Sequence, residues 1–528
     1  MKGKVFVKGA VILIICNLIG KVLGAVYRIP LARIIGSVGM GEYQLAFPLY
    51  CLILTISSSG IPVAISKLVA EFNTKNRFKD SKRLLRISLI LLTILSVLGA
   101  GLIAVGARLI AGMQGNPQAY VCYYGIAPAI IFVGVLSALR GYFQGNLLMF
   151  PTAISGLIEQ LFKMAFGLFL ATKFSVYGTE FAVLGALIGI SISEFFACVF
   201  LVICYIVYSR KHKTQIAEEP YTRKFLTRRL FGLSIPITLG GLISPITAMV
   251  DSLLVVNLLM IGGLASSSAT MMLGLQSGVV EPLVNLPVVI AVSISTALLP
   301  SLSGLQAKSL SNDDSSENSK QQIKELIEKS YQITLSISLA CAICFVIFGN
   351  QVLTFLYGKS FSPEELMVAT KLLFLGSVNV VLLSLVQVTA GALQALGKPK
   401  LPVVAMLIGC VVKIVLDVVL ISIPQVGIMG AIIAGGVCYF IVLNINYRKV
   451  KKFTGAKLLN HDYFYVCIQE CFVCMFAFFA NTLLQSVFSE IVSMLVAGTI
   501  TVAVFVTTYY VFFMGKKAQS TLATQMDK

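Results

Sequence analysis

The sequence lacks tryptophan, contains only two histidines and has few charged residues, which make up 12% of its 528 positions. With 57% hydrophobic residues and a mean hydropathy of +0.92, this composition excludes a soluble globular protein and is typical of membrane proteins. Because tryptophan is absent, tyrosine has to supply most of the aromatic belt at the membrane interfaces. The phosphate-binding pattern GxxxxGK(S/T) is also absent, so ATP-driven transport is not predicted.

Apolar runs long enough to cross a bilayer dominate the chain. Windows of about 20 apolar residues predict an all-α polytopic membrane protein with about 14 transmembrane helices. The predicted spans are 9–33, 43–66, 85–110, 119–140, 151–173, 181–208, 231–259, 269–300, 331–356, 366–395, 401–422, 427–447, 463–486 and 490–514. An even number of spans places both termini on the same side of the membrane.

The distribution of positive charge predicts which side that is. Of the 41 Lys and Arg residues, 32 fall on the side of the N-terminus, five on the opposite side and four inside spans. Since positive loops stay in the cytoplasm, both termini are predicted to be cytoplasmic in a bacterial cell membrane. The net charge of +19 is then a topology signal and an attraction to anionic membrane lipids. Because it is spread over eight separate segments, nucleic-acid binding is not predicted.

The chain also repeats itself. Residues 18–27 align with 242–251 at an offset of 224, and the residues around Lys163 align with those around Lys413 at an offset of 250. One polar insert in a loop of the second half explains the change of offset. The repeat predicts two pseudo-symmetric six-helix lobes and two additional C-terminal helices, at 1–229, 230–460 and 461–528.

The first span carries positive charges that a membrane helix normally lacks. One helical face is expected to present Asn17, Lys21, Gly24 and Arg28. Because a cation near the middle of the bilayer costs about 2.5–3.5 kcal/mol, Lys21 and Arg28 are expected to face a polar interior and to bind an anion. Alternatively, Arg28 and Arg33 lie at the outer interface and extend into water. Gly20 and Gly24 permit close approach of another helix, and Pro30 is expected to kink or end this one.

Further charged residues occur inside other predicted spans. Helix 5 carries Glu159 and Lys163, and helix 11 carries Lys413 and Asp417, in both cases four residues apart and on one face. Each pair either contributes to a transport site or neutralises itself as a structural ion pair. Other candidates are Asp251, which aligns with Tyr27 and could instead be interfacial, Lys371, and more weakly Glu194 and Glu281. Five prolines are expected to break helices 7 and 8: Pro236, Pro245, Pro282, Pro287 and Pro300.

The segment GKVLGAVYRIPLARIIGSVGMGEYQLAFPLY, followed by GIPVAISKLVAEF, resembles the start of the polysaccharide-biosynthesis, stage V sporulation protein B family. This family belongs to the multidrug/oligosaccharidyl-lipid/polysaccharide exporter superfamily and is similar to the lipid II flippases. The resemblance implies a non-enzymatic flippase that moves a polyprenyl-pyrophosphate-linked sugar or peptidoglycan precursor by alternating access. It also implies that helices 13 and 14 shape a lipid-facing groove. A monomer without a cofactor or bound metal is expected, with membrane lipids and the lipid-linked precursor as its partners.

The resemblance also implies roles for the candidate residues. Substrate binding is expected from Lys21, Arg28, Arg33, Asn17, Glu159, Lys163 and Lys371, and energy coupling from Asp251, Lys413 and Asp417. Tyr27-Arg28 stands where lipid II flippases often have Arg-Asp. Lys413 replaces the Asn of the sodium site found in some members, so an ammonium could stand where sodium would bind.

Three other functions are compatible with parts of this pattern. A drug or cation antiporter of the same superfamily usually has twelve spans and acidic sites in its first lobe, so helices 13–14 and Arg28 argue against it. A membrane enzyme acting on lipid-linked sugars would need a catalytic loop, and the predicted outward loops are short. A non-transporting scaffold does not require charged residues inside the spans.

Overall fold

The computed structural model describes residues 2–211, 221–309, 315–457 and 461–485, together with 493, 496–501, 503–505 and 507. Over these residues the chain is helical and contains no strand. The helices are α1 (Lys2–Ser58), α2 (Gly60–Thr74), α3 (Phe78–Met113), α4 (Tyr120–Gly145), α5 (Met149–Phe174), α6 (Thr179–Lys211), α7 (Arg223–Gly241), α8 (Ile243–Ile261), α9 (Ser266–Leu273), α10 (Glu281–Ser309), α11 (Ser315–Tyr357), α12 (Pro363–Ala395), α13 (Lys400–Ile421), α14 (Met429–Thr454) and α15 (His461–Gln485).

These helices agree with the predicted spans. Within the described residues, ten segments are long and apolar enough to cross a membrane, and one of them, Ile15–Thr74, has 60 residues and contains most of the first two predicted spans. Shorter apolar helices lie in predicted spans 7, 13 and 14, at Pro245–Ile261, Met475–Leu484 and Val496–Phe505. The predicted all-α polytopic class is confirmed. Much of predicted span 490–514 lies outside the described residues.

The first helix is interrupted at a glycine and not at a proline. Helix α1 continues through Pro30, and its only non-helical residue is Gly36, at φ 71° and ψ −176°. The helix therefore does not end at Pro30, and its break lies at Gly36. Proline removes one backbone hydrogen bond, which a membrane helix tolerates when its neighbours compensate. A positive φ strains any residue that has a Cβ atom, so the chain turns where glycine is available.

Predicted helices 7 and 8 are each interrupted, as expected, and each interruption lies directly before a proline. Span 7 is divided at Leu242, between α7 and α8. In span 8, α9 leads into a π-helical stretch at Gly274–Val280, which we call the π segment, and then into α10. Pro245 and Pro282 lie in the first turns of α8 and α10, just after the breaks. The other three predicted prolines lie inside α7 and α10. Because a π turn leaves backbone groups outside the regular α-helical ladder, π segments are frequent at functional sites.

The chain forms two compact units. The first contains residues 1–282 and 410–434, and the second contains 283–409 and 435–528. The core of the first unit is built by α2, α3, α4, α6 and α7, around fully buried side chains such as Leu68, Phe72 and Leu84. The lobe boundaries drawn from the repeat, at 229/230 and 460/461, stay a prediction.

The second unit has its own hydrophobic core. Helices α10, α11, α12 and α14 surround side chains that include Leu302, Val388 and Leu393, all without exposed surface. Elsewhere in this unit an apolar cavity is lined by residues of α11 and α15 and of the apolar helix near the C-terminus, among them Cys341, Ala477 and Phe505. The first unit holds most of the charged candidates, so it is described in more detail below.

Candidate functional site

Arg28 of α1 is held against the π segment. Its Nη1 donates a hydrogen bond of 3.2 Å to the backbone carbonyl oxygen of Ser277. Its guanidinium lies 5.8 Å from the centre of the Phe47 ring, and the residue is half-buried. The Nε2 of Gln44 donates to the same Ser277 oxygen at 2.5 Å. A guanidinium has five N–H donors. Among the described residues only one of them is used, by the Ser277 carbonyl, so the others can bind a further acceptor.

Glycines bring the second part of α1 into backbone contact with α9 and the π segment. A Cβ atom on Gly41 would lie 2.0 Å from the carbonyl oxygen of Thr270, and one on Gly274 would lie 2.0 Å from that of Ser37. Such distances are far below van der Waals contact, so a larger residue at either position requires the backbones to move apart. The glycines thereby fix the position of the Ser277 carbonyl relative to α1.

The first part of α1 approaches α5 where the sequence predicts close packing. A Cβ atom on Gly20 would lie 3.5 Å from Cγ of Gln160, and one on Gly24 would lie 3.3 Å from its Oε1. Because these two glycines have no side chain, Gln160 of α5 can pack directly against the α1 backbone. This packing brings Lys163, one turn further along α5, next to α1.

Lys163 lies over an aromatic ring of α1. Its Nζ is 5.5 Å from the centre of the Tyr27 ring, and Tyr27 is 1% exposed. Among the described residues, no carboxylate forms an ion pair with Lys163. Lys163 thus contacts the residue that precedes Arg28 in α1, and both basic side chains are half-buried.

Glu159 does not pair with Lys163, although the two are four residues apart on one helix. Its Oε2 accepts a hydrogen bond of 3.1 Å from Nη2 of Arg140 in α4, and its Oε1 accepts one of 3.2 Å from Gln160. Arg140 also donates from Nε to Ser155 at 3.1 Å. Glu159 and Lys163 therefore do not form the structural ion pair that their spacing allows. A residue of another helix neutralises the carboxylate instead.

Glu194 of α6 is a second acidic group in this region. It is 2% exposed, and its Oε1 accepts a hydrogen bond of 2.7 Å from the hydroxyl of Tyr50. Because a phenol contributes no positive charge, this contact orients Glu194 without neutralising it. The acidic group remains part of the electrostatic surroundings of Lys163.

Lys413 forms a compact ion-pair cluster with two aspartates. Its Nζ lies 2.5 Å from Oδ1 of Asp251 in α8 and 2.7 Å from Oδ2 of Asp417, one turn further along α13. The exposed fractions are 12% for the lysine side chain, 28% for Asp251 and 1% for Asp417. The other Asp417 oxygen, Oδ1, is buried and has no hydrogen-bond partner among the described residues. The i,i+4 spacing predicted the contact between Lys413 and Asp417, and the family resemblance grouped Asp251 with them.

The remaining predicted site residues are exposed. Asn17, Lys21 and Arg33 lie on exposed parts of α1, and Lys371 is exposed on α12 in the second unit. Their predicted roles in binding substrate stay predictions. No group of three or more His, Cys, Asp or Glu side chains that could hold a metal ion occurs in the described part of the chain.

Sequence reasoning missed four groups that contact the predicted residues. Gln44 and the Ser277 carbonyl hold Arg28, while Arg140 and Tyr50 bind the two glutamates. Gln44 had a signal, because it is an amide inside an apolar run. Arg140 is the last residue of predicted span 119–140, where a positive charge indicates topology and not a site. Nothing in the sequence identifies a particular backbone carbonyl as an acceptor.

Sequence comparisons identify relatives of the chain. The polysaccharide biosynthesis protein family matches residues 6–306. Stage V sporulation protein B of Bacillus subtilis (strain 168) is 30% identical over 444 residues, which are 82% of this chain and 81% of that protein. Lipid II flippase MurJ of the same organism is 27% identical over 469 residues, covering 85% of this chain and 83% of that protein.

Solved structures show the same fold. Lipid II flippase MurJ in an inward closed conformation superimposes with a TM-score of 0.71 at 16% identity, over 96% of this chain and 99% of that one. An inward-facing multidrug resistance MATE family transporter of the MOP superfamily gives a TM-score of 0.59 at 14% identity, over 82% and 95% of the two chains. The chain therefore shares its fold with these two proteins. With the family match over more than half of its length, the chain belongs to the polysaccharide biosynthesis protein family.

Proposed function

We propose that this protein is a flippase that moves a polyprenyl-pyrophosphate-linked sugar or a peptidoglycan precursor resembling lipid II across the bacterial cytoplasmic membrane. The observation that carries this proposal is the pair Arg28 and Lys163. Both are half-buried in membrane-spanning helices, and neither has an ion pair with a carboxylate in the described residues. Two such cations repel each other and favour a ligand that carries negative charge.

A pyrophosphate fits this arrangement by charge and by hydrogen bonding. Its oxygens accept charge-assisted hydrogen bonds, which are about twice as strong as neutral ones. Arg28 can offer several N–H donors in a planar fork, while Lys163 offers three donors on a flexible stem. An unpaired pyrophosphate would be prohibitively costly to bury, so a site that carries it through the membrane needs cations of this kind.

The lipid tail does not have to cross with the headgroup. A polyprenyl chain can remain in the acyl region of the bilayer while the pyrophosphate and sugar pass through the protein. The apolar cavity beside α11 and α15 is a suitable surface for such a chain in the second unit. Similarity to a protein named lipid II flippase supports the same class of substrate.

Energy coupling is assigned to the Asp251–Lys413–Asp417 cluster. Its two carboxylates share one ammonium, so the cluster carries an excess of negative charge and can respond to a proton or to movement of the lysine. Because the ammonium occupies the space between the carboxylates, bound sodium is not part of this proposal. The protein acts as a monomer with both termini in the cytoplasm.

Headgroup translocation in proteoliposomes tests this function. We expect a labelled polyprenyl-pyrophosphate sugar to appear in the outer leaflet without chemical change. Formation of a new lipid product would instead support a membrane enzyme. Movement of cationic drugs without lipid movement would support the antiporter that the MATE-like fold also permits.

The Arg28→Ala variant tests the site. We expect it to lose most headgroup translocation while the protein stays folded in the membrane, because a charge-assisted contact to the pyrophosphate is removed. Arg108→Ala is a matched control: the exposed Arg108 guanidinium lies 5.2 Å from the Tyr120 ring centre, so this change also removes one positive charge and one cation–π contact. Equal translocation by Arg28→Ala and Arg108→Ala would remove Arg28 from the site.

A further inference from the structure

Two lysines occupy equivalent positions of the internal repeat but have opposite surroundings. At the offset of 250, Lys163 and Gly167 of α5 correspond to Lys413 and Asp417 of α13. At the offset of 224, Tyr27 of α1 corresponds to Asp251 of α8. The three residues of the second-half cluster are thus matched by a tyrosine, a lysine and a glycine.

The contacts are equivalent as well as the positions. Asp251 reaches Lys413 at 2.5 Å, and its counterpart Tyr27 has its ring centre 5.5 Å from the Nζ of Lys163. In each half, the same position on one helix therefore contacts the same lysine on another. Only the chemistry differs, because a carboxylate neutralises an ammonium whereas an aromatic ring leaves its charge in place.

Tyr27 and Gly167 also fit each other. A Cβ atom on Gly167 would lie 2.6 Å from the Tyr27 hydroxyl oxygen, so the phenol fills the space that an acidic side chain at 167 would need. That hydroxyl is buried and has no hydrogen-bond partner among the described residues. A buried hydroxyl without a partner is unfavourable, and a phosphate oxygen near Lys163 would be a suitable acceptor.

The neighbouring acids have other contacts. Glu159 is bound by Arg140 at 3.1 Å, and Glu194 accepts from Tyr50 at 2.7 Å. Neither of them forms an ion pair with Lys163 in the described residues. An anion that approaches Lys163 therefore does not have to break a salt bridge, whereas one that approaches Lys413 has to displace two carboxylates.

We propose that Tyr27 and Gly167 are specificity-determining residues. By occupying the two positions at which the second half carries carboxylates, they leave the Lys163 ammonium for the pyrophosphate of the substrate. The first half is then the anion-binding half, and the second half is compensated internally. This inference rests on the proposed function, because it identifies the anion as the substrate's pyrophosphate.

The Tyr27→Asp variant gives the first half of the repeat the carboxylate that the second half has at Asp251. We expect the new carboxylate to pair with Lys163 and to lower the affinity for a polyprenyl pyrophosphate by about 10- to 100-fold, the loss of one charge-assisted hydrogen bond. Tyr27→Asn is the matched control, because it has the same shape as aspartate without the charge. It should lose clearly less affinity than Tyr27→Asp. Equal losses would overturn the inference.

A neutral variant of Lys163 provides a second test that does not depend on the aspartate variant folding. We expect Lys163→Gln to weaken binding of polyprenyl pyrophosphate at least 10-fold. Lys173→Gln, which removes an exposed positive charge from the same helix, is the control and should change binding by less than about threefold. Binding is measured on the folded, monodisperse fraction of each variant in nanodiscs. An equal loss in both variants, or a larger loss in Lys173→Gln, would contradict the assignment.

The ligands separate this inference from the proposed function. Polyprenyl pyrophosphate, polyprenyl monophosphate and uncharged polyprenol are compared on the wild-type protein. If the wild-type protein prefers the pyrophosphate but Tyr27→Asp and Tyr27→Asn lose equal affinity for it, the role of Tyr27 is overturned. The flippase proposal then still stands. Equal affinity for all three lipids, together with no headgroup translocation, would overturn both.

Discussion

Replacing Lys413 by methionine should strongly destabilise the protein. Methionine is apolar and similar in length, so the change removes the ammonium while filling much of its space. Asp251 and Asp417, which now lie 2.5 and 2.7 Å from that ammonium, would be left without their shared cation. Asp417 is only 1% exposed, so water cannot replace the lysine. Removing one partner of a buried ion pair costs about 3–5 kcal/mol.

A double variant distinguishes the loss of charge balance from the loss of packing. Lys413→Met combined with Asp417→Leu removes the most buried carboxylate together with the cation. Replacing a buried ion pair by apolar residues of similar volume is often neutral or stabilising. We therefore expect the double variant to recover most of the stability lost in the single variant, since the remaining Asp251 is 28% exposed and can be hydrated.

The chemistry of the chain provides the assay. Tryptophan is absent, but the sequence contains twelve cysteines, of which Cys122 and Cys198 are buried. A fluorogenic thiol reagent therefore reports unfolding in detergent as these thiols become accessible. A loss of about 3–5 kcal/mol should lower the apparent melting temperature by about 3–5 °C in a chain of this length. A shift below about 2 °C for Lys413→Met, or no recovery of the melting temperature in the double variant, would show that Lys413 does not neutralise the two aspartates.

Gly41→Ala should destabilise the protein by about 1–3 kcal/mol, because its Cβ atom would lie 2.0 Å from the Thr270 carbonyl oxygen. Gly156→Ala is the control, since nothing lies within 4 Å of its added Cβ, and equal melting temperatures of the two variants would contradict the close contact. Gln44→Met should weaken polyprenyl pyrophosphate binding by about 2- to 10-fold, because the Ser277 carbonyl loses one of its two donors. In an Arg28→Ala background the same change should have no further effect, and an additive loss would show that Gln44 does not act through the arginine.

Much of the fold was predictable because membrane insertion imposes a simple rule. Each span has to satisfy its own backbone hydrogen bonds and to present apolar side chains to lipid, so length and hydropathy reveal it. The first two spans, merged in Ile15–Thr74, and the long helices that follow were located in this way. The break at Gly36 was missed, because Pro30 gives the stronger local signal for a kink.

The site was predicted only where its contacts are local or repeated. The Lys413–Asp417 pair follows from helical spacing, and the sequence repeat marks Asp251 and Tyr27 as equivalent. The same spacing suggested that Glu159 pairs with Lys163, and there it failed. Arg140 of α4 binds the glutamate instead.

The amino-acid sequence by itself determined the membrane class, the approximate spans, the repeat and the presence of charged groups inside the helices. These properties depend on composition, hydropathy and residue spacing, which are local or periodic quantities. Only the tertiary structure decided which charges are neutralised. Lys413 meets two carboxylates while Lys163 meets a ring, because helix packing brings together residues from distant parts of the chain, and the attraction between two charges depends on their distance and on the water excluded around them.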